Sequence, residues 1–445
     1  MSTKNNAAAN RFGSYWGFIM SAVGCAVGMA NVWAFPAKVG QNGGGAFILV
    51  YLFFVVLFGS VLLAAEYGVG RRARSGTLAA YRLAFSSRDE KHGKLGQSIG
   101  WLPLIGSLLI SLAYASIIAY LLKGFWDSLT GTLITLDVGE WFGAMSSTEF
   151  GVVPFHVVVV VGSLATLLLG AKTIELSCKV MMPVFYVIFI ILAVRVAMMP
   201  GAIEGYKFMF TPDWSYLAKP TTWLWAAAQA FFSLSVTGSG MIVYGAYLDE
   251  KEDLVHASRV TALLDTSAAM LAACVVIPAC FAYNLDVGSG ASLLFITLPT
   301  ILHDIAFGQV FAVILFAAMV FAGVSSIQNM YEVVLESVMR VCPKLSRNVL
   351  LVIMAAVCLG IGVFIEPISK WGPLMDFISI YVIQLGALIG AISWFWVMKK
   401  KDLMDEINKN AKKTHGDLWY YAGKFGIVGF TAVLCAYGLI HKVAF

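Results

Sequence analysis

Gly24-Cys25-Ala26-Val27-Gly28-Met29-Ala30-Asn31 sits in the middle of one long apolar run, and Ser233-Leu234-Ser235-Val236-Thr237-Gly238-Ser239-Gly240 in the middle of another. Glycine disfavours helix by about 1 kcal/mol relative to alanine, and serine and threonine hydroxyls offer freed peptide groups other partners. Both stretches are therefore placed to unwind a helix where water is absent. In hydrocarbon every peptide group must be satisfied within the protein, so an unwound segment is tolerated only where it lines a cavity. Small residues at this spacing also let helices pack closely. For one such stretch alone that plainer explanation is the better one; the matched pair is what points elsewhere.

The runs around these stretches belong to a bilayer. The 445 residues are 60% hydrophobic and 12% charged, against roughly 45–50% and about 25% in soluble domains. So little polar surface excludes a cytosolic enzyme, a nucleic-acid-binding protein and a disordered scaffold. A crossing helix needs about 20 apolar residues, and eleven candidate spans stand out: 12–37, 46–70, 99–123, 152–171, 176–199, 222–248, 258–284, 305–339, 349–366, 374–398 and 418–440. The first is too long for a signal peptide, carries Gly and Asn mid-span and lacks a small-residue cleavage site. The expected fold is an all-α polytopic membrane protein with 11 transmembrane helices.

The net charge of +5 gathers in loops. Loop 71–98 holds Arg71, Arg72, Arg74, Arg82, Arg88, Lys91 and Lys94, and loop 399–417 holds Lys399, Lys400, Lys401, Lys409, Lys412 and Lys413, whereas loops 124–151 and 285–304 hold no Lys or Arg. Basic loops stay cytoplasmic. Residues 1–11 are thus expected as a cytoplasmic N-terminal tail, 399–417 as a cytoplasmic basic loop, and 418–445 as the last span with an outer C-terminus. The setting is the cell (plasma) membrane, with the lipid bilayer as partner, no nucleic acid, and a monomer or weak dimer. Loop 285–304, with an apolar patch and Pro299, is expected to fold as a hairpin over an outer vestibule.

Nothing in the chain looks catalytic. Cys25, Cys178, Cys274, Cys280, Cys342, Cys358 and Cys435 lie mostly in apolar stretches without zinc-ligand spacing and read as small hydrophobes. HExxH, Walker, GxSxG and CxxC motifs are missing, so no enzyme and no organic cofactor are expected. Glu66, Glu332 and Glu336 read as members of packing or polar networks. The two breakable stretches fall in spans one and six, matching positions of two five-span halves, 12–199 and 222–398. Interrupted spans in matching positions are the best sequence pointer to a transporter's binding site. Half-helix N-termini offer N–H groups to an anion and C-termini offer carbonyls to a cation, which suits a zwitterion with a co-bound cation.

These residues carry a family resemblance. GCAVGMANVWAFP (24–36), QNGGGAF (41–47), AEYGVGRR (65–72), TPD (211–213), QAFFSLS (229–235), FITLP (295–299), AGVSS (322–326) and MDF (375–377) run in family order, and the chain resembles the neurotransmitter:sodium symporters, in particular a bacterial amino-acid transporter branch. The resemblance implies a leucine-transporter-like 5+5 inverted repeat with spans 1 and 6 unwound at mid-membrane, and Na⁺, one or two ions, taken by hard oxygen ligands. It implies a first sodium site at Ala26 (carbonyl), Asn31, Ser233 and Asp265, and a second at the carbonyls of Gly24, Val27 and Ala322 with the hydroxyls of Ser325 and Ser326. Substrate carboxylate is expected on the N–H groups of the broken first span near Tyr114, and the ammonium near carbonyls around Ala26, Phe232 and Ser233. The pocket positions carried over are Cys25, Met29, Ala30, Ile110, Ser235, Gly238, Ser326 and Met330, with Gly238 leaving room for a large side chain and Thr237 standing at a usual glycine position.

Asp265 is the most informative residue, because an acid inside an apolar span costs at least ~2.5 kcal/mol. Its plainer explanation is a pairing with Arg259. The family commonly has Asn there and balances charge with chloride or an acid one turn on, which is Ala269 here. Chloride-independent transport is therefore expected, with Asp265 available to take up a proton when sodium leaves. The resemblance also implies an outer gate of Tyr114, Phe232 and Asp376, but the gate arginine is replaced by Ala34. At the inner gate Ala9, Phe12 and Arg340 stand where the family has arginine, tryptophan and an acid, with Arg11 nearby. The expected function is sodium-coupled symport of a neutral, large hydrophobic or aromatic L-amino acid. The alternatives are a sodium-independent or proton-coupled exchanger on the same fold, which would lack the paired hydroxyls of Ser325 and Ser326, and a membrane-embedded enzyme or receptor, for which no reactive constellation or signalling domain is visible.

Overall fold

Peptide groups in a chain this apolar have mainly one another to bond, and the backbone is helical almost throughout. The computed structural model describes residues 11–288, 293–304 and 306–441, without the side chains of Asp304, Asp376, Ser379 and Ile380. Among the described residues the only extended pairing is an isolated bridge between Gly44 and Pro212.

The helices are α1 (Tyr15–Ala26), α2 (Ala30–Gln41), α3 (Gly45–Ala73), α4 (Trp101–Thr130), α5 (Val153–Ala165), α6 (Ala171–Ala197), α7 (Pro220–Ser233), α8 (Gly240–Tyr247), α9 (Leu254–Ala282), α10 (Gly308–Val341), α11 (Arg347–Ile365), α12 (residues 368–397) and α13 (Asp417–His441). Local chemistry sets their starts. Ser14 accepts the Gly17 N–H at 3.0 Å ahead of α1, Asp253 accepts the His256 N–H at 3.0 Å ahead of α9, and Pro220 opens α7. Among the described residues seven helices are long and apolar enough to cross a bilayer, namely α3, α6, α9, α10, α11, α13 and the Glu90–Thr130 stretch ending in α4, or up to nine if each bent pair counts as one. One bent pair is α1 with α2, at 59°; the other joins the end of α12 to the polar helix Lys400–Asn408, at 99°. Helix α5, at 13 residues, and the pair α7 and α8, parted by 234–239, are shorter than the spans expected from sequence. Residues 293–304 of the expected outer hairpin form a short helix whose Phe295 stacks on Phe142 at 5.3 Å; 289–292 lie outside the described residues.

Large apolar side chains face outward along single helix faces, as a lipid solvent demands. On α6 the exposed positions Leu176, Val180, Val184, Val187, Ile191 and Val194 recur every three or four residues. Inside, helices approach closely. A Cβ on Gly70 would lie 2.0 Å from the Ile242 carbonyl oxygen, and one on Gly245 would lie 2.4 Å from that of Tyr67, so only glycine lets α3 and α8 cross as they do. Helix α1 packs against α6, α9 and α10, and α2 against α7 and α9, which sets the first break at the centre of the bundle.

One end of the bundle collects the basic loops. Buried Arg71 pairs with Glu406 at 2.6 Å, Arg72 with Asp402 at 2.8 Å, and Glu250 with both Arg74 at 2.5 Å and Lys409 at 2.8 Å. Lys409 and Arg74 hold the Glu250 carboxyl down at about 2. Loops 71–98 and 399–417 thus meet at the same end, where the Phe12 N–H also reaches the Tyr247 carbonyl at 3.4 Å.

Candidate functional site

The helix stops at Val27, whose backbone turns extended (φ −70°, ψ 106°). In an unbroken helix the Gly28 N–H would close on the Gly24 carbonyl and the Asn31 N–H on that of Val27. Instead Gly28 donates to Asn31 Oδ1 at 3.1 Å, and Asn31 donates to the Gly28 carbonyl at 3.1 Å. The break therefore strips the helical donors from the Gly24 and Val27 carbonyls, both buried in the bundle.

The second break runs from 234 to 239 between α7 and α8. Gly238 turns through φ +76°, a conformation that favours glycine, and its N–H is taken by Glu66 Oε1 of α3 at 2.9 Å. Asn329 of α10 donates to the Gly240 carbonyl at 2.9 Å, and Ser107 of α4 pairs with Ser239 at 2.7 Å. Two contacts tie the breaks together: Ser235 Oγ donates to the Cys25 carbonyl at 3.3 Å, and Gln229 Nε2 donates to that of Ala30 at 3.3 Å.

Two oxygen-rich clusters flank the first break. In one, Asn31, Ser233 and Asp265 meet with no solvent exposure. Ser233 Oγ donates to Asp265 Oδ2 at 2.6 Å, and Asn31 Nδ2 donates to Asp265 Oδ1 at 2.8 Å and to its carbonyl at 3.2 Å. Tyr51 of α3 adds a hydroxyl 3.4 Å from Ser233 Oγ. Arg259 turns to Ser60 Oγ at 3.0 Å, so the acid is buried among neutral polar groups. In the other cluster Ser326 Oγ stands 3.4, 3.3, 3.2 and 3.1 Å from the carbonyl oxygens of Gly24, Cys25, Val27 and Ala322. Ser325, also buried, donates to the Ala322 carbonyl at 3.0 Å. Ser235 and Ser325 also serve the Cys25 and Ala322 carbonyls, but a hydroxyl has one proton, so the Gly24 and Val27 carbonyls beside Ser326 form a centre of negative potential that this serine leaves partly unneutralised.

Tyr114 and Ser326 approach the break from α4 and α10: a Cβ on Gly28 would lie 3.4 Å from the Tyr114 hydroxyl and 2.8 Å from Ser326 Oγ. Cys25, Ala26, Met29, Ala30 and Ile110 are buried, while Phe232, Ser235 and Met330 are half-buried. The room expected at Gly238 is not there. A Cβ at that position would meet the Gly386 carbonyl of α12 at 2.4 Å and the Tyr81 hydroxyl at 2.8 Å, because the positive-φ turn faces the scaffold. Glu66, Tyr51, Gln229 and Asn329 were not among the expected site residues. Glu66 alone carried a signal, an acid inside an apolar run.

At the expected outer gate, the side chain of Asp376 lies outside the described residues, and its backbone falls in α12. Lys38, one turn beyond Ala34, places its ammonium 3.2 Å from the Trp225 ring centre and so joins α2 to α7. At the basic end, Ala9 lies outside the described residues and Arg340 is exposed. The contacts across that end involve other groups. Phe12 packs edge-on against Phe18, Tyr244 and Tyr247, and the Tyr247 hydroxyl donates to Glu332 at 2.5 Å. Glu332 is also paired with Arg347 at the start of α11. Glu175 of α6 receives the Gly13 N–H at 2.5 Å and the Ser14 hydroxyl at 2.9 Å.

Comparison with known proteins identifies the family and the fold. The model of the sodium:neurotransmitter symporter family matches residues 9–149 and 142–444. The chain is 29% identical over 449 residues to an uncharacterized sodium-dependent transporter, YhdH, of Bacillus subtilis, covering 96% of this chain and 97% of that one. It is 28% identical over 447 residues to an uncharacterized sodium-dependent transporter of Methanocaldococcus jannaschii, covering 94% and 88%. The crystal structure of MhsT in complex with L-phenylalanine superposes with a TM-score of 0.85 at 29% identity, covering 96% and 98% of the two chains.

Proposed function

This chain belongs to the sodium:neurotransmitter symporter family, whose members are sodium-dependent transporters and not enzymes, and from that premise we propose that it is a symporter of a neutral L-amino acid with a large hydrophobic or aromatic side chain. The observation that carries the proposal is the set of four carbonyls around Ser326 Oγ. A monovalent hard cation satisfies such a set, and the carbonyls of Gly24 and Val27 are available because the helix breaks there. The second sodium then lies among Asp265, Ser233, the Ala26 carbonyl and Asn31, whose amide turns to present Oδ1. Asp265 supplies the negative charge at this site, which supports transport without chloride.

The substrate carboxylate faces the N–H groups of the first break beside Tyr114, and its side chain lies among Met29, Ile110, Phe232 and Met330. The related structure holds L-phenylalanine, in keeping with such walls. Counting the broken pairs α1–α2 and α7–α8, together with α5 and α12, beside the seven long helices gives eleven spans, arranged as two inverted five-span halves, 12–199 and 222–398, with the basic end in the cytoplasm and the C-terminus outside. Alternating access is then a rocking of the broken pair with its partners around the mid-membrane site. The test is binding of a radiolabelled neutral amino-acid panel to purified protein in sodium against potassium, with chloride replaced by gluconate. Tight sodium-dependent binding of phenylalanine or a similar residue, unchanged by gluconate, is expected. Binding indifferent to sodium would assign the fold to an exchanger instead.

A further inference from the structure

Away from the breaks, a cavity of about 450 Å³ opens at the basic end of the bundle. Its walls come from the end of α3 (Arg72), the short helix Thr77–Ser86 (Leu78 and Arg82), the short helix Gly93–Ile99 (Gln97) and the end of α10 (Arg340 and Val341). Three arginines from three separate elements thus line one space. Arg72 shares its charge with Asp402 at 2.8 Å. Arg340 lies one turn from Glu336, which accepts a hydrogen bond from Ser75 at 3.3 Å. Arg82 makes no ion pair among the described residues, and the cleft is left with net positive charge.

The cavity also has an apolar wall of Ala73, Leu78, Leu83 and Val341, and the helix that carries Gln97 runs on into α4, where Trp101, Leu102 and Ile105 are large exposed side chains. We propose that it holds the phosphate of an anionic membrane phospholipid, with the acyl chains running down the apolar surface beside α4. Guanidinium matches a phosphodiester with paired N–H donors, and basic pockets between spans at the cytoplasmic surface suit such headgroups. A free phosphate would use the arginines but gain nothing from Leu78, Val341 and the apolar strip, which is why the lipid is assigned. The inference is independent of which solute is carried.

The test is native mass spectrometry of the full-length protein in detergent, titrated with short-chain phosphatidylglycerol, with phosphatidylcholine and with inorganic phosphate. A saturable single phosphatidylglycerol adduct is expected. Removing two cations in Arg82→Gln/Arg340→Gln should weaken it about thirtyfold, whereas Lys412→Gln/Lys413→Gln, which removes the same charge elsewhere at this end, should leave it unchanged. Ala79 also lies on the cavity wall, and Ala79→Trp, which fills the space and keeps every arginine, should abolish it too. Equal binding by the double arginine variant, equal affinity for phosphatidylcholine, or full displacement by equimolar inorganic phosphate would each overturn the assignment.

Discussion

Among the described residues Asp265 has no cationic partner: its two carboxylate oxygens are held by Ser233 at 2.6 Å and Asn31 at 2.8 Å. Neutral donors offset little of the cost of burying a charge, so the charged form depends on a cation bound nearby. Asp265→Asn keeps the shape and removes the charge. Sodium affinity at this site should fall at least about tenfold, a loss of ~1.4 kcal/mol, and added chloride should restore part of it, as read by sodium titrations in chloride and in gluconate. A chloride-insensitive variant with unaltered sodium affinity would refute the role. Glu66 makes a different demand, because it satisfies a peptide N–H that the second break would otherwise orphan. Glu66→Ala should cost about 1–3 kcal/mol for the unmet Gly238 donor, lowering the melting temperature. Glu66→Gln retains an acceptor and should cost clearly less.

At the scale of elements, the breaks were legible and their orientation was not. Gly24, Gly28, Gly238 and Gly240 mark where helix is disfavoured, and an acid at 265 marks an apolar span with something to bind. Asn31, Ser233 and Asp265 come from three helices, and only the family resemblance brought them together on the sequence. Which way Gly238 faces depends on the approach of the Gly386 backbone, a tertiary fact that no local pattern encodes. The linkage at the basic end was hidden for the same reason. Arg340, aligned with the family's acid, is exposed, while Tyr247, Glu332 and Arg347 link α8, α10 and α11 across that end. If this linkage holds the end shut, Tyr247→Phe removes one charge-assisted hydrogen bond while leaving Glu332 with Arg347. Opening should become about tenfold more frequent, taking ~1.5 kcal/mol for such a bond. Buried Cys25 in the first break is a native reporter. In a background with exposed Cys342 replaced by serine, its labelling by a thiol reagent should accelerate by that factor in Tyr247→Phe, and sodium with substrate should slow it again. Unchanged labelling would place the barrier elsewhere.

For the whole molecule, burial of both clusters means that solute moves only with a rearrangement, so the driving force must be read over a full cycle. A zwitterion carries no net charge, and the charge moved per cycle is that of the sodium ions less any proton returned on Asp265. Each charge crossing 100 mV contributes ~2.3 kcal/mol. Two net charges therefore support about 2,000-fold accumulation per 100 mV from voltage alone, and one supports about fiftyfold. The two cases separate cleanly in proteoliposomes with sodium equal on both sides and the voltage set by a potassium gradient. Two net charges give a steady-state ratio that rises about a hundredfold for every ~60 mV, and one gives about tenfold. With Asp265 carrying a proton back, the slope should be the shallower one in the native protein. In Asp265→Asn, which has no proton to return, it should steepen toward the larger value wherever transport survives. An identical steep slope in both proteins would leave the aspartate charged throughout the cycle, so that sodium alone carries the current and proton return is ruled out.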